Sequence, residues 1–401
     1  MTKILKTLSA IMTQRGPWAV FLPAVAGVAA AFAETPAHPE EDPIHTLKVA
    51  AVYNHEEIQL RFIYPTDTPS WYHQYWVYED GEWARYGSSA DGPDPDGLYE
   101  DRISVIIDDG SVGTFAEAGG HVTVHPGMRA TRSAVPREEV EKHPHLGERL
   151  GRTDVRKFIM ESRDGSQGPD SWKNVRPPEE LDRLRDEGVF LDLWQWRAHR
   201  SNPIGYADNG YILEYRHGSE GRSMYTTNQD GDTGLPLKMF DPDRTGSPSL
   251  RLEALRAREY GRDDPYFLAE ETAISFDPDH EWKEGDAIPQ RLLRKPDGSR
   301  GAIRAHGEYR DGAWHVSLTR SLDAPNPRDS KTLVPGESYD IAFAVHSGAG
   351  ALFHRVSSPL TLGLNTDAEL VAQPVNGHLD DAKAEWTEIE IFYPGDPTTE
   401  R

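Results

Sequence analysis

Alternation with period two constrains this chain more than any other feature. In residues 46–53, Leu47, Val49 and Ala51 fall on one side. In residues 57–64, Ile58, Leu60 and Phe62 do the same, with Gln59 and Arg61 opposite. Asn54-His-Glu56 joins the two runs, a pattern that predicts a β-hairpin with one buried face. Further strands are predicted where Trp314, Val316 and Leu318 alternate, over residues 192–196, and near the end over 388–393. Residues 103–107, 341–345 and 360–364 carry little polar content and predict strands buried on both faces. Helical signals are few. A short helix is expected at 138–142, and a firmer one at 179–187, behind Pro177-Pro178, with acids in its first turn and Gly188 after it.

The expected fold class is therefore all-β, a β-sandwich of the immunoglobulin-like or carbohydrate-module-like kind with long loop insertions and a few short helices. Residues 202–243 are rich in Gly, Asp, Asn and Pro and predict one long ordered loop. No internal repeat or clean linker divides the chain. The expected domains are a signal peptide at 1–33, a flexible lead-in at 34–45, the sandwich at 46–366, and a tail at 367–401 packed on it.

The start of the chain reads as an export signal. Lys3, Lys6 and Arg15 form a positive region without acids, residues 18–30 are apolar, and Ala31-Phe-Ala33 offers small residues for cleavage. The expected location is the periplasm, with cleavage near Ala33 and no membrane span in the mature chain. The net charge of −23 argues against nucleic acid and anionic lipid, which need a basic surface. Cysteine is absent, so disulfides, thiolate-held iron–sulfur clusters and Cys-x-x-Cys-His haem attachment are excluded.

Several catalytic classes leave no mark. There is no Gly-x-Ser-x-Gly elbow, no His-Glu-x-x-His zinc motif and no phosphate-binding glycine loop before a helix. Paired carboxylates for glycoside hydrolysis are not distinguishable among the many acids. Trp71, Trp76, Trp83, Trp194 and Trp196 are candidate sugar-stacking platforms or, alternatively, core residues. The stretch from His121 to Arg129 gathers His121, His125 and Met128, all side chains able to bind a transition metal or haem iron, although a polar surface loop explains it equally well. Lys238-Met239 is a second candidate ligand pair.

The segment from Asp192-Leu-Trp-Gln-Trp196 to Asp208 resembles the haem-binding (gamma) subunits of ethylbenzene dehydrogenase and dimethylsulfide dehydrogenase. So do the block from Trp314 to Ser358 and Phe392-Tyr-Pro-Gly395; the resemblance runs from about Thr46 to Gly395. It implies a β-sandwich carrying one non-covalent haem b, an electron-transfer role, and a molybdenum catalytic subunit, an iron–sulfur subunit or a soluble cytochrome as partners. In cytochrome-like relatives a Gly-Cys-x-x-Cys-His run precedes Met-Arg; here His121 and Val124 stand at the cysteine positions. The resemblance makes Met128 and Lys238 the expected axial ligands, with His125, Met239 and His121 as alternatives and Arg129 and Trp196 beside the cofactor. A lysine ligand must lose its proton, which burial favours. A cofactor-free carbohydrate- or partner-binding module is the alternative reading.

Overall fold

The computed structural model describes residues 44–87, 94–131, 133–261, 263–348 and 354–394. The export signal and nearly all of the lead-in lie outside the described residues, as does Gly395. The described residues all fall in one compact unit, Pro36–Arg401.

In chain order, the first eight strands are β1 (Ile44–Tyr53), β2 (Glu57–Pro65), β3 (Tyr75–Glu79), β4 (Glu82–Tyr86), β5 (Arg102–Asp108), β6 (Leu191–Arg197), β7 (Tyr206–Ile212) and β8 (Arg216–Gly218). Seven short ones follow: β9 (Tyr225–Thr227), β10 (Lys238–Phe240), β11 (Leu250–Arg251), β12 (Leu268–Ala269), β13 (Ala273–Ser275), β14 (Asp286–Pro289) and β15 (Arg291–Leu293). The rest are β16 (Ile303–Arg310), β17 (Ala313–Ser321), β18 (Ser338–His346), β19 (Arg355–Ser357), β20 (Leu360–Leu364), β21 (Leu370–Pro374) and β22 (Thr387–Phe392).

The all-β expectation holds, but the main sheet is not two open layers. Its strands run β19-β22-β1-β2-β17-β16-β7-β6-β5-β18, and β18 pairs again with β19, so the hydrogen bonding closes on itself. A second route, β18-β20-β21-β1, joins the same two strands through parallel pairs at β20–β21 and β1–β21. A sandwich leaves unpaired edges between its sheets; here β16–β7 and β19–β22 pairing removes them. The tail strands β21 and β22 are members of this sheet.

The hairpin forms as its pattern predicts. Asn54 closes it by accepting the backbone N–H groups of Glu56 and Glu57 at 2.9 and 2.8 Å, and Val52 pairs with Gln59. Its apolar face enters a single core with Ile103, Val105 and Ile107 of β5, Trp194 and Trp196 of β6, and Val316 and Leu318 of β17. Each fully buried aliphatic side chain there contributes about 1.5–3 kcal/mol. The two expected helices lie at Arg137–Glu141 and Pro178–Asp186, the second followed by Gly188 at φ +78°.

The expected long loop at 202–243 is a correction. It contains β7, a member of the closed sheet, together with β8, β9 and β10. Tyr206-Ala-Asp-Asn-Gly-Tyr-Ile212 carries polar residues inward because they have buried partners, so its pattern does not read as a strand. Residues from β3, β10, β11, β12 and β14 build a second core around Tyr75, Trp76, Phe240, Leu250 and Ile288.

Candidate functional site

The site lies at one end of the closed sheet and starts from a cross-strand row. Arg102 of β5 stands opposite Arg197 of β6 on one side and His346 of β18 on the other. Like charges directly opposite repel, so such a row needs compensation. Arg197 finds it in Asp208 of β7, at 2.9 Å, and Arg300 reaches the other oxygen of that carboxylate at 2.9 Å. Burial alone would raise the Asp208 pKa, but these two guanidinium groups bring it down to about 2.

Behind the row is Glu100, fully buried. It accepts the backbone N–H groups of His199 and Arg200 at 2.7 and 2.8 Å and pairs with the Arg200 guanidinium. His73 Nδ1 stands 3.6 Å away. Burial outweighs that carboxylate at both neighbouring imidazoles: His73 is held well below its ordinary pKa and His199 falls to about 4, so both are neutral at pH 7. The chain turn after β6 creates this arrangement, because Ser201 Oγ accepts the Arg197 N–H at 2.9 Å and aims two consecutive amides at Glu100.

Beyond the row, Lys157, Arg216 and Tyr225 are half-buried and form a cationic cluster linked electrostatically through Arg216. Lys157 is placed by its neighbours: Phe158 stacks on His125 at 4.0 Å and the Ile159 N–H donates to the Leu213 carbonyl at 2.9 Å. Its Nζ meets Thr123 Oγ1 at 3.3 Å. Arg216 opens β8, opposite Ile212. Tyr225 opens β9; the guanidinium groups of Arg200 and Arg197 lie 5.2 and 5.9 Å from its ring centroid, and Arg200 Nη1 is 3.4 Å from its hydroxyl.

The electrostatics of the cluster are those of a cation surplus. Burial and then Arg216 lower the Lys157 pKa to about 8. Burial, Arg156 and Arg197 lower Arg216 to about 10. Burial would raise Tyr225, yet Arg200, Arg197 and Arg216 together draw it down to about 8. Among the described residues Arg216 makes no side-chain hydrogen bond or ion pair, and Lys157 makes only the contact to Thr123. Chemically the cluster favours negative charge nearby, which is why the Tyr225 phenol loses its proton more readily than a free tyrosine.

The residues expected from sequence to hold haem are scattered. His125 is buried, with Nε2 2.8 Å from the Phe158 carbonyl and Nδ1 3.3 Å from Gln167 Nε2, so both ring nitrogens are engaged. Burial lowers its pKa to about 4. Met128 is half-buried in the turn that follows, and its carbonyl accepts the Thr131 hydroxyl at 2.6 Å. Arg129 is exposed and pairs with Asp154 at 3.2 Å. Lys238 sits on β10, opposite Ser275 of β13, with its Nζ 3.5 Å from Ser275 Oγ. Met239 packs in the second core and Trp196 in the main one, where its Nε1 donates to Asn202 Oδ1 at 3.1 Å. Among the described residues no hydrogen bond joins the Met128 turn to β10. Of the expected residues His121 and His125 feel Lys157: burial and then Lys157 hold the half-buried His121 below its ordinary pKa, and Lys157 is among the charges that lower His125.

Of the five candidate sugar platforms Trp76, Trp194 and Trp196 are buried, while Trp71 and Trp83 are half-buried against the second core. Sequence reasoning missed Lys157, Arg216 and Tyr225, which sit in polar segments without a motif. Arg197 and Arg200 were within reach: Trp196-Arg-Ala-His-Arg200 places two cations directly after an apolar strand. Among the described residues no three or more His, Asp or Glu side chains are grouped to hold a metal, and no helix is long and apolar enough to cross a membrane.

No curated protein matches the chain. A family described as ethylbenzene dehydrogenase matches residues 23–356, more than four-fifths of the sequence. That description names the dehydrogenase and not a haem-binding subunit, which corrects the resemblance drawn from sequence. The reading as a b-type haem electron-transfer protein or cytochrome falls with it, as does haem b as cofactor, to which the match lends no support. The coarser partner expectation stands, since proteins of this family work in molybdenum-enzyme complexes. With the match spanning the strands from β1 to β18 and the residues of the cationic cluster, the chain belongs to the ethylbenzene dehydrogenase family.

Proposed function

We propose that this protein works in an exported, molybdenum-dependent oxidoreductase complex of the ethylbenzene dehydrogenase type. The observation that carries the reading is the family match over residues 23–356. The donor set of the chain sets its share of the work. Without cysteine it offers no thiolate for an iron–sulfur cluster, so any such cluster in the complex belongs to another chain. No group of side chains among the described residues fits a metal centre either, and no redox step is assigned to them. What this chain supplies is a half-buried cationic cluster, Lys157 and Arg216 with the Tyr225 phenol. Export is supported by Lys3, Lys6 and Arg15 ahead of an apolar stretch that ends at Ala33.

The test is affinity purification of the tagged chain from its native host, with molybdenum measured in the purified material, dehydrogenation followed with an artificial electron acceptor, and the N-terminus sequenced. Molybdenum and dehydrogenase activity are expected to travel with the chain, and its mature form is expected to begin close after Ala33. Separation of the subunits then assigns the metal to this chain or to a partner. Purification of the chain from cells active in dehydrogenation, without molybdenum or activity, overturns the proposal.

A further inference from the structure

A cavity of about 430 Å³ opens beside the second core, where β3, β4, β9 and β15 meet. Backbone pairing brings its walls together. Trp76 and Arg85 stand opposite each other on β3 and β4, and Thr227 and Arg291 do so on β9 and β15. The Gln290 N–H, one residue before Arg291, donates to the Gln74 carbonyl at 2.9 Å, two residues before Trp76. The lining holds two guanidinium groups, Arg85 and Arg291, and no carboxylate. In a protein with 66 Asp and Glu against 43 Lys and Arg, that composition is the exception. Neutral groups orient both cations. Arg85 Nη2 donates to Gln229 Oε1 at 2.6 Å, and its guanidinium lies 4.8 Å from the Trp76 ring centroid. Arg291 Nη2 donates to Gln74 Oε1 at 2.9 Å and its Nη1 to Thr227 Oγ1 at 3.2 Å, while its enclosed Nε has no hydrogen-bond partner. Among the described residues neither arginine forms an ion pair, and a guanidinium carries more N–H donors than these contacts use. Arg85 is exposed and Arg291 half-buried, so solvent reaches the cavity at Arg85.

We infer that this cavity is a binding site for an oxyanion, the carboxylate or phosphate group of a small ligand, held by the Arg85 and Arg291 guanidinium groups with the Gln74 carboxamide nitrogen as a further donor. A guanidinium presents a planar fork of N–H donors to such a group, and charge-assisted hydrogen bonds of this kind are among the strongest available. Each arginine is already fixed by two neighbours, so little side-chain freedom is lost when the anion arrives. The Gln74 carboxamide is fixed through its oxygen, which leaves its nitrogen free to donate at the same wall. The volume lies near the lower end of the range for small-ligand pockets, about 300–1,000 Å³. Burial and then Arg200 hold the Arg291 pKa below its ordinary value, in keeping with a cation short of negative partners. The inference rests on the lining of this cavity and not on the family assignment.

The experiment uses the full chain at constant ionic strength, which removes general screening from the comparison. Inorganic phosphate and benzoate are titrated separately by isothermal calorimetry, with the thermal unfolding midpoint as a second readout. Saturable binding of one or both probes is expected, with a matching rise in midpoint. Binding of phosphate alone points to a phosphoryl ligand, and binding of benzoate alone to an organic carboxylate. Arg85→Met alters an exposed side chain and is expected to fold as the parent does while weakening binding by at least about tenfold. Arg291→Met is expected to weaken binding by at least as much. Arg137→Met, at an exposed pair with Glu141, is expected to leave it unchanged. No saturable binding of either probe by the parent, or parent-like affinity in either of the two cavity variants, overturns the inference. Neither result depends on whether molybdenum travels with the chain.

Discussion

At the scale of single residues, close approach and hydrogen-bond satisfaction decide most outcomes. Gly307 on β16 lies against the Trp196 indole, where an added Cβ would come within 2.3 Å of ring carbon Cζ2. Asn202 fixes that indole from the other side: its Oδ1 accepts the Trp196 Nε1–H and the Gly307 N–H, and its Nδ2 donates to the Gly307 carbonyl. Neither side can give way, so Gly307→Ala is expected to destabilise the protein by about 1–3 kcal/mol. The urea midpoint measures this, and an unchanged midpoint would show that the ring moves freely. His125 teaches the complementary lesson. Its type and place in the sequence are those of a metal ligand, but a ring with both nitrogens engaged and its face on Phe158 is a packed core residue.

At the scale of elements, one ionic knot ties β17 to β6. Arg320 and Asp192 are both fully buried and meet at 2.6 Å, and the remaining lone pairs of Asp192 take the Lys331 N–H and the Trp194 indole N–H. The Arg320 guanidinium lies 4.5 Å from the Trp194 ring centroid and donates to the Lys331 carbonyl. Arg320→Leu leaves the carboxylate buried without its cation and is expected to cost about 3–5 kcal/mol. Arg304→Ala, at an exposed pair with Glu57, is expected to cost about 1 kcal/mol or less. Chemical denaturation of the two variants side by side checks the contrast; equal losses would mean that burial is not what makes the knot matter. Elements with apolar alternation or a continuous apolar run were legible from sequence, as β1, β2 and β17 show for the first and β5 for the second. β7 was not, because its buried neighbours Asp208 and Asn209, on opposite faces of the strand, are chosen for partners supplied by distant segments.

At the scale of the whole molecule, the shifted groups of the cationic cluster give stability a distinctive pH dependence. Lys157 titrates at about 8 in the folded protein against 10.5 as a free side chain, and Tyr225 at about 8 against 10.0. Between those limits the unfolded chain holds protons that the folded one has released, so both groups make stability rise with pH from about 8 to 10. Above that, Tyr72, Tyr211 and Tyr215, pushed up to about 12 by burial, act in the opposite sense. On the acid side His125 and His199, both near 4 when folded, contribute stability that is lost as pH falls below 6.5. Thermal midpoints across this range are expected to climb between pH 8 and 10, with Lys157→Met flattening the climb by about 1–3 kcal/mol. A flat parent profile in that window would place Lys157 and Tyr225 in water.

The sequence alone determined the strand class, the buried face of the first hairpin, the helix behind Pro177-Pro178, and the exclusion of thiolate chemistry, because each is written in local periodicity or in composition. Closure of the sheet and the cationic cluster were decided only by the tertiary structure. Strand pairing between β16 and β7 or β19 and β22 joins segments that share no local pattern. Lys157, Arg216 and Tyr225 are ordinary polar residues in their own segments, and their shifted chemistry comes from burial beside one another, a property that no stretch of the chain possesses by itself.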